Sequence, residues 1–228
     1  MSGAPEQLVF DLPHRSALGA EDFLVSGCNA AAVALIDRWP EWPSGGVAVA
    51  GPAGSGKSHL VNVWRTKCGA ERIEAPGLGE NAIDRLKKAR ALAVEQLDQG
   101  IGDERVLFHL LNVAREHRFS MLLTGRAAPG ELEIALPDLR SRLRALPLVQ
   151  IAAPDEALLK ALLVKLFADR QLKVEPHVVA HLALHMERSA EAAERVVAEV
   201  DRLALTNHRK VTRALAAEAL ARLRPDEA

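Results

Sequence analysis

Gly51-Pro52-Ala53-Gly54-Ser55-Gly56-Lys57-Ser58 fits G-x-x-x-x-G-K-[ST], the pattern of a phosphate-binding loop. The apolar run Val47-Ala48-Val49-Ala50 before it reads as a buried strand, and Lys57 to Thr66 after it reads as a helix. The motif needs that strand–loop–helix setting. Gly51, Gly54 and Gly56 let the backbone adopt conformations closed to other residues and approach an anion closely. Backbone N–H groups, that of Ser55 among them, then face phosphate oxygens at a helix N-terminus. Lys57 is placed to reach the terminal phosphates, and the Ser58 hydroxyl to ligate Mg²⁺. The spacing points to a bound nucleotide.

Working outward, short apolar segments at 47–50, 71–74, 91–95, 119–124 and 147–151 read as strands. A helix is expected at 28–39, before the first of them. Helical stretches at 57–66, 81–90, 103–117 and 138–145 separate the strands. This alternation predicts an α/β domain with a parallel sheet and helices on its faces. After Pro154 the pattern changes to helices alone, near 155–170, 176–187, 189–206 and 212–223. Val196, Val197, Val200 and Leu203, then Ala216, Leu220 and Leu223, recur at helical spacing. The expected layout is a flexible tail over 1–20, an α/β nucleotide-binding domain over 21–152, and a small all-helical lid domain over 153–228.

Composition narrows the function classes. With 228 residues and 49% hydrophobic content, the chain can bury a substantial core. Its net charge of −1 offers no global basic field for nucleic acid. The chain has no Tyr and few aromatics, which argues against base-stacking platforms. Cys28 and Cys68 read as ordinary reduced thiols without metal-ligand spacing. His177, His181 and His185 fall at i, i+4 and i+8 of one helix, but no fourth ligand is indicated. A helix face at the surface is the plainer reading. No apolar run reaches membrane-spanning length and no secretion signal is visible, so a cytoplasmic protein is expected.

Three further stretches carry a resemblance. They are Glu21-Asp22-Phe23-Leu24-Val25-Ser26-Gly27-Cys28-Asn29, Gly56-Lys57-Ser58-His59-Leu60 and Leu136-Pro137-Asp138-Leu139-Arg140-Ser141-Arg142-Leu143. They are similar to the opening segment, the P-loop and the arginine-finger box of the DnaA group of AAA+ ATPases. The resemblance runs from about residue 20 to 223. It implies the AAA+ fold with a helical lid, and adenine nucleotide, ADP or ATP, with Mg²⁺. It places the phosphate-binding groups on the loop from Gly51 to His59. It leaves open which nucleotide is the working ligand, though ADP is expected to support activity.

The same resemblance assigns the remaining roles. Ala91-Leu92-Ala93-Val94-Glu95-Gln96 is similar to a Walker B segment, with Glu95 as the metal-side acid and Gln96 at the catalytic position. Gln96 can orient a water but cannot accept its proton at neutral pH, so weak or absent hydrolysis by this chain alone is expected. Asp98 either assists these residues or is a solvated acid at a helix start, and the second reading is favoured. Thr124 matches the sensor 1 position, with Arg126 where the group often has Asp. Arg142 matches the arginine finger, which acts on a nucleotide held by a neighbouring subunit; Arg140 and Arg144 are alternatives. Arg188 matches the sensor 2 arginine, with Arg195 as the alternative.

In the tail, Gln7-Leu8-Val9-Phe10-Asp11-Leu12 resembles the peptide that DnaA-related regulators and polymerases insert into the sliding clamp. Gln7 would enter a polar subsite, while Leu8, Phe10 and Leu12 anchor apolar ones. The expectation is a regulatory AAA+ protein that binds nucleotide and the DNA polymerase sliding clamp. Attached there, it would stimulate hydrolysis of DnaA-bound ATP in trans and limit replication initiation. The alternative is a self-sufficient ATPase such as a helicase loader or a chaperone-like motor; Gln96 counts against it. A DNA-binding regulator is disfavoured, because no helix-turn-helix module and no basic bias accompany the motifs. Self-association is open, since many AAA+ proteins form oligomers.

Overall fold

The computed structural model describes residues 24–42, 45–207 and 210–223. The clamp-peptide candidates Gln7, Leu8, Phe10 and Leu12 lie outside the described residues. Two compact units divide at Ala153 and Pro154.

The first unit alternates strands and helices. In chain order it runs α1 (Ala30–Asp37), β1 (Gly46–Ala50), α2 (Lys57–Cys68), β2 (Glu71–Glu74) and α3 (Asn81–Ala89). It continues with β3 (Ala91–Glu95), α4 (Glu104–His117), β4 (Ser120–Gly125), α5 (Pro137–Arg144) and β5 (Leu148–Gln150). The strands form one parallel sheet in the order β2-β3-β4-β1-β5. Strands β1 and β3 are buried along their whole length, which is why they read as unbroken apolar runs.

Period-two alternation sorts their side chains between two cores. Ala48, Ile73, Leu92, Val94, Met121 and Leu123 pack with Leu86 of α3, Leu107 and Leu110 of α4, and Leu139 and Leu143 of α5. Val47, Val49, Ala91, Ala93 and Leu122 pack on the other face with Ile36 of α1 and Leu60, Val61 and Trp64 of α2. The same parity turns Arg72, Glu95 and Thr124 toward the α2 face, at the strand ends that precede the loops.

The first helix is shorter than the expected 28–39. Cys28 and Asn29 serve the turn before it. The Asn29 side chain accepts from the Ser26 N–H at 2.9 Å and donates to the Leu24 carbonyl at 2.9 Å. Asn29 is buried, so these bonds satisfy an amide that has lost water.

The second unit is all helical: α6 (Glu156–Asp169), α7 (Pro176–His185), α8 (Ala190–Asn207) and α9 (Arg213–Leu223). Its core gathers Leu159, Leu163, Phe167, Leu182, Val197, Val200 and Ala216. Capping sets its helix starts. The Asp155 carboxylate accepts from the Leu158 N–H at 2.7 Å, and the buried Ser189 hydroxyl accepts from the Ala192 N–H at 3.0 Å. Among the described residues, no helix is long and apolar enough to cross a membrane.

Candidate functional site

The loop after β1 turns on two kinds of glycine. Gly54 and Gly56 have φ of +65° and +92°, and Gly56 stands at the N-cap of α2. Both need the left-handed region that glycine tolerates. Gly51 serves differently from the expectation that it frees the backbone. A Cβ there would lie 2.7 Å from the Ile151 carbonyl oxygen and 3.0 Å from Ser55 Oγ. Gly51 is therefore required for close packing of the loop against the segment that follows β5.

Lys57 opens α2 and folds back across the loop. Its Nζ donates to the Gly51 and Pro52 carbonyls, each at 2.6 Å, and to Ser55 Oγ at 3.3 Å. Burial holds the ammonium below the usual lysine range. Asp98 and Glu95 pull it back up, and Arg126 pushes it further down. Ser55 is buried, while His59 is half-buried on the first turn of α2.

Ser58 joins this loop to β3. Its hydroxyl donates to Glu95 Oε2 at 2.7 Å, and Glu95 is 2% exposed. The other carboxylate oxygen, Oε1, pairs with Nε of Arg72 on β2. Arg72 is diagonal to Glu95 across the β2–β3 ladder, where its Cα partner is Ala93. Sequence reasoning missed this arginine. The signal was available in the alternation of Arg72, Ile73 and Glu74, which sets Arg72 on the face opposite Ile73. Gln96 follows at φ +62°, a left-handed residue that turns the chain out of the strand.

Asp98 departs from its expected role as a solvated helix-start acid. Its Oδ1 accepts from the Arg126 N–H at 2.6 Å, and its side chain is only 17% exposed. It ties the turn after β3 to the end of β4. Thr124 lies buried on β4 opposite Val49 of β1, one residue before Gly125, whose carbonyl accepts from the Gly51 N–H at 3.2 Å. Thr124 and the phosphate-loop candidate thus occupy neighbouring strand ends.

Arg142 is half-buried on α5, its guanidinium 6.0 Å from the centre of the Phe108 ring on α4. Arg140 is exposed, and Arg144 Nε donates to the Gly130 carbonyl at 3.4 Å. The start of α5 is fixed by Glu104, whose two oxygens accept from the Ala135 N–H at 2.9 Å and the Leu136 N–H at 2.6 Å. In the helical unit, Arg188 is exposed in the turn before α8, and Arg195 pairs with Glu187 at 3.6 Å. The His181 and His185 rings lie 4.3 Å apart on α7, tilted by 43° to one another; among the described residues no group of three or more His, Cys, Asp or Glu could hold a metal ion.

Ser58 and Glu95 are the residues expected to hold Mg²⁺. Mg²⁺ takes oxygen donors and is drawn by uncompensated carboxylate charge. The donors are present, but the Glu95 charge is already met by an ion pair of Oε1 with Arg72, while Oε2 accepts from Ser58. As arranged, the three residues do not make a Mg²⁺ site.

No protein-family model matches the sequence, and no curated protein matches it. Solved structures do. Domain III of the replication initiation protein DnaA from Thermotoga maritima superposes with a TM-score of 0.74 at 18% identity, covering 90% of this chain and 96% of that one. The fold is that of the AAA+ ATPases. AMPPCP-bound DnaA from Aquifex aeolicus shares this AAA+ fold with a TM-score of 0.63 at 19% identity, covering 76% of this chain and 62% of that one. The RuvB Holliday junction branch migration motor of Thermotoga maritima shares it with a TM-score of 0.63 at 15% identity, covering 79% and 62%.

Proposed function

We propose that this chain is a regulatory AAA+ protein of replication, of the type of Hda, the DnaA-related protein that switches DnaA off. In this reading it binds adenine nucleotide and the DNA polymerase sliding clamp, and stimulates hydrolysis of DnaA-bound ATP in trans. The observation that carries the reading is the end of β3. Gln96 is an amide and accepts no proton, and the Glu95 carboxylate is engaged by Ser58 and Arg72. The strand end beside the phosphate loop therefore has no free base of its own, so the chain is a binder that acts on a partner's site. The AMPPCP-bound DnaA of the same fold supports an adenine nucleotide as the ligand.

Each residue then has a physical task. The N–H groups of the loop from Gly51 to Gly56 and the α2 N-terminus bind phosphate. Lys57 leaves its three oxygen acceptors for the terminal phosphates, and an anion beside its partly desolvated ammonium favours the charged form that burial opposes. Thr124 meets the phosphate end of the ligand, and Arg188, with Arg195 as the alternative, is the lid's arginine. Arg142 is the finger. A planar cation placed on charge developing in a transferring phosphoryl group accelerates reaction by roughly 10³–10⁵. Phe108 restricts its guanidinium beforehand, which reduces the ordering cost in the complex. Gln7, Leu8, Phe10 and Leu12 attach the chain to the clamp.

The test is single-turnover hydrolysis of ATP preloaded on DnaA, with clamp loaded on DNA. Wild-type protein is expected to accelerate it. Arg142→Ala is expected to abolish acceleration while nucleotide and clamp binding persist. Full stimulation by Arg142→Ala would falsify the finger assignment. The RuvB likeness favours a second reading, a self-sufficient motor, which requires steady ATP turnover by the purified chain alone.

A further inference from the structure

Glu95 is a carboxylate 2% exposed to solvent, and its charge needs compensation where it sits. In a phosphate-loop site that compensation is ordinarily a metal ion. Here a side chain of the same chain supplies it, since Arg72 reaches across from β2 to Glu95 Oε1 while Ser58 donates to Oε2.

We propose that Arg72 is a built-in cation of this site, which lets the chain bind its nucleoside diphosphate without requiring Mg²⁺. The inference rests on the nucleotide-binding reading and specifies its cofactor requirement. An anionic diphosphate entering near an uncompensated carboxylate is repelled. With Arg72 in place, Glu95 contributes no net charge, and Lys57 retains its attraction. The other charged groups that act on Lys57 are Asp98 and Arg126, and those two pair with each other at 3.7 Å. The local sum of Lys57, Glu95, Arg72, Asp98 and Arg126 is one positive charge, and it falls to zero without Arg72. Glu74 lies 3.6 Å from Arg72, but its side chain is 57% exposed and its charge is screened by water. Arg72 is a positioning and charge-compensating residue; its action on the ligand passes through Glu95.

The experiment is titration of fluorescent ADP into the intact chain with excess Mg²⁺ or with EDTA. Wild-type affinity is expected to change less than about threefold between the two conditions. Arg72→Gln is expected to lose at least about tenfold in EDTA, 1.4 kcal/mol, and to recover it with Mg²⁺. The double variant Arg72→Gln with Glu95→Gln, which removes both charges, is expected to regain in EDTA most of the affinity that Arg72→Gln alone loses. A wild-type loss of tenfold or more in EDTA overturns the proposal, whether or not the variants fold. So does an Arg72→Gln protein with the wild-type Mg²⁺ response. Failure of the nucleotide-binding reading itself looks different: the wild type then binds no ADP even with Mg²⁺.

Discussion

Lys57 is where the charge of the loop and its burial meet. In the proposed nucleotide site, replacing it with alanine is expected to remove a charge-assisted contact to phosphate, about 1.5–3 kcal/mol, or roughly ten- to hundred-fold in ADP affinity. Titration of labelled ADP into wild type and Lys57→Ala checks this, and equal affinities refute the loop's assignment. The ammonium also titrates below its ordinary value of 10.5, because desolvation outweighs its acidic neighbours. Below its folded pKa the group is charged in both folded and unfolded chains, and burial opposes folding. As pH rises from that value toward 10.5, the folded chain holds fewer protons than the unfolded one, so this group's destabilisation is relieved. Phosphate binding needs the charged form, so ADP affinity is expected to decline over the same window, earlier than for an ordinary lysine. Calorimetric titration of ADP across that range reads it; an affinity flat up to the ordinary lysine value contradicts it. At Gly51 the constraint is space. Gly51→Ala drives a Cβ against the Ile151 carbonyl and is expected to cost about 1–3 kcal/mol, read as a lowered Tm.

Among the elements, α5 depends on a single carboxylate. Glu104 sits in the first turn of α4 and accepts from two consecutive N–H groups just before α5. Glu104→Ala leaves both donors without that partner, at a cost of about 1–3 kcal/mol. Amide exchange at Ala135 and Leu136 is expected to quicken. Stimulation of DnaA-bound ATP hydrolysis is expected to fall with ADP affinity unchanged, because Arg142 rides on α5 while the phosphate loop belongs to α2. Unchanged exchange at those two amides sinks this account. In the helical unit, Ser189→Ala removes the cap of α8 and is expected to cost about 1 kcal/mol. That loss is read in chemical denaturation.

For the whole molecule, each compact unit has its own apolar core, and the phosphate loop, Glu95, Thr124 and Arg142 all belong to the first. The proposed clamp peptide is separate in sequence from every one of those groups. Replacing Gln7, Leu8 and Phe10 with alanine is expected to abolish clamp capture and leave ADP affinity unchanged. A clamp pull-down beside an ADP titration measures both. Normal clamp capture by the triple variant removes the tail's role.

Much of this was legible one residue after another. The alternation of apolar runs and helical periods placed all five strands and all nine described α-helices, because those periods reflect local burial on a sheet or a helix face. The conformation of the loop over 51–58 was legible for a related reason: its left-handed glycines, the helix start and Lys57 lie within eight consecutive positions. Other features required chain segments far apart in sequence to meet. Arg72 reaches Glu95 only because β2 pairs with β3 in a particular register. Asp98 is a tie rather than a solvated acid because β4 ends beside it, and Gly51 is compelled by Ile151, a hundred positions away. Arg142 lies over Phe108 because α4 and α5 pack on the same sheet face. Local periodicity carries the information for which face a residue takes. Only the folded sheet decides which charge it meets there, since that depends on the register and order of strands that the chain brings together from a distance.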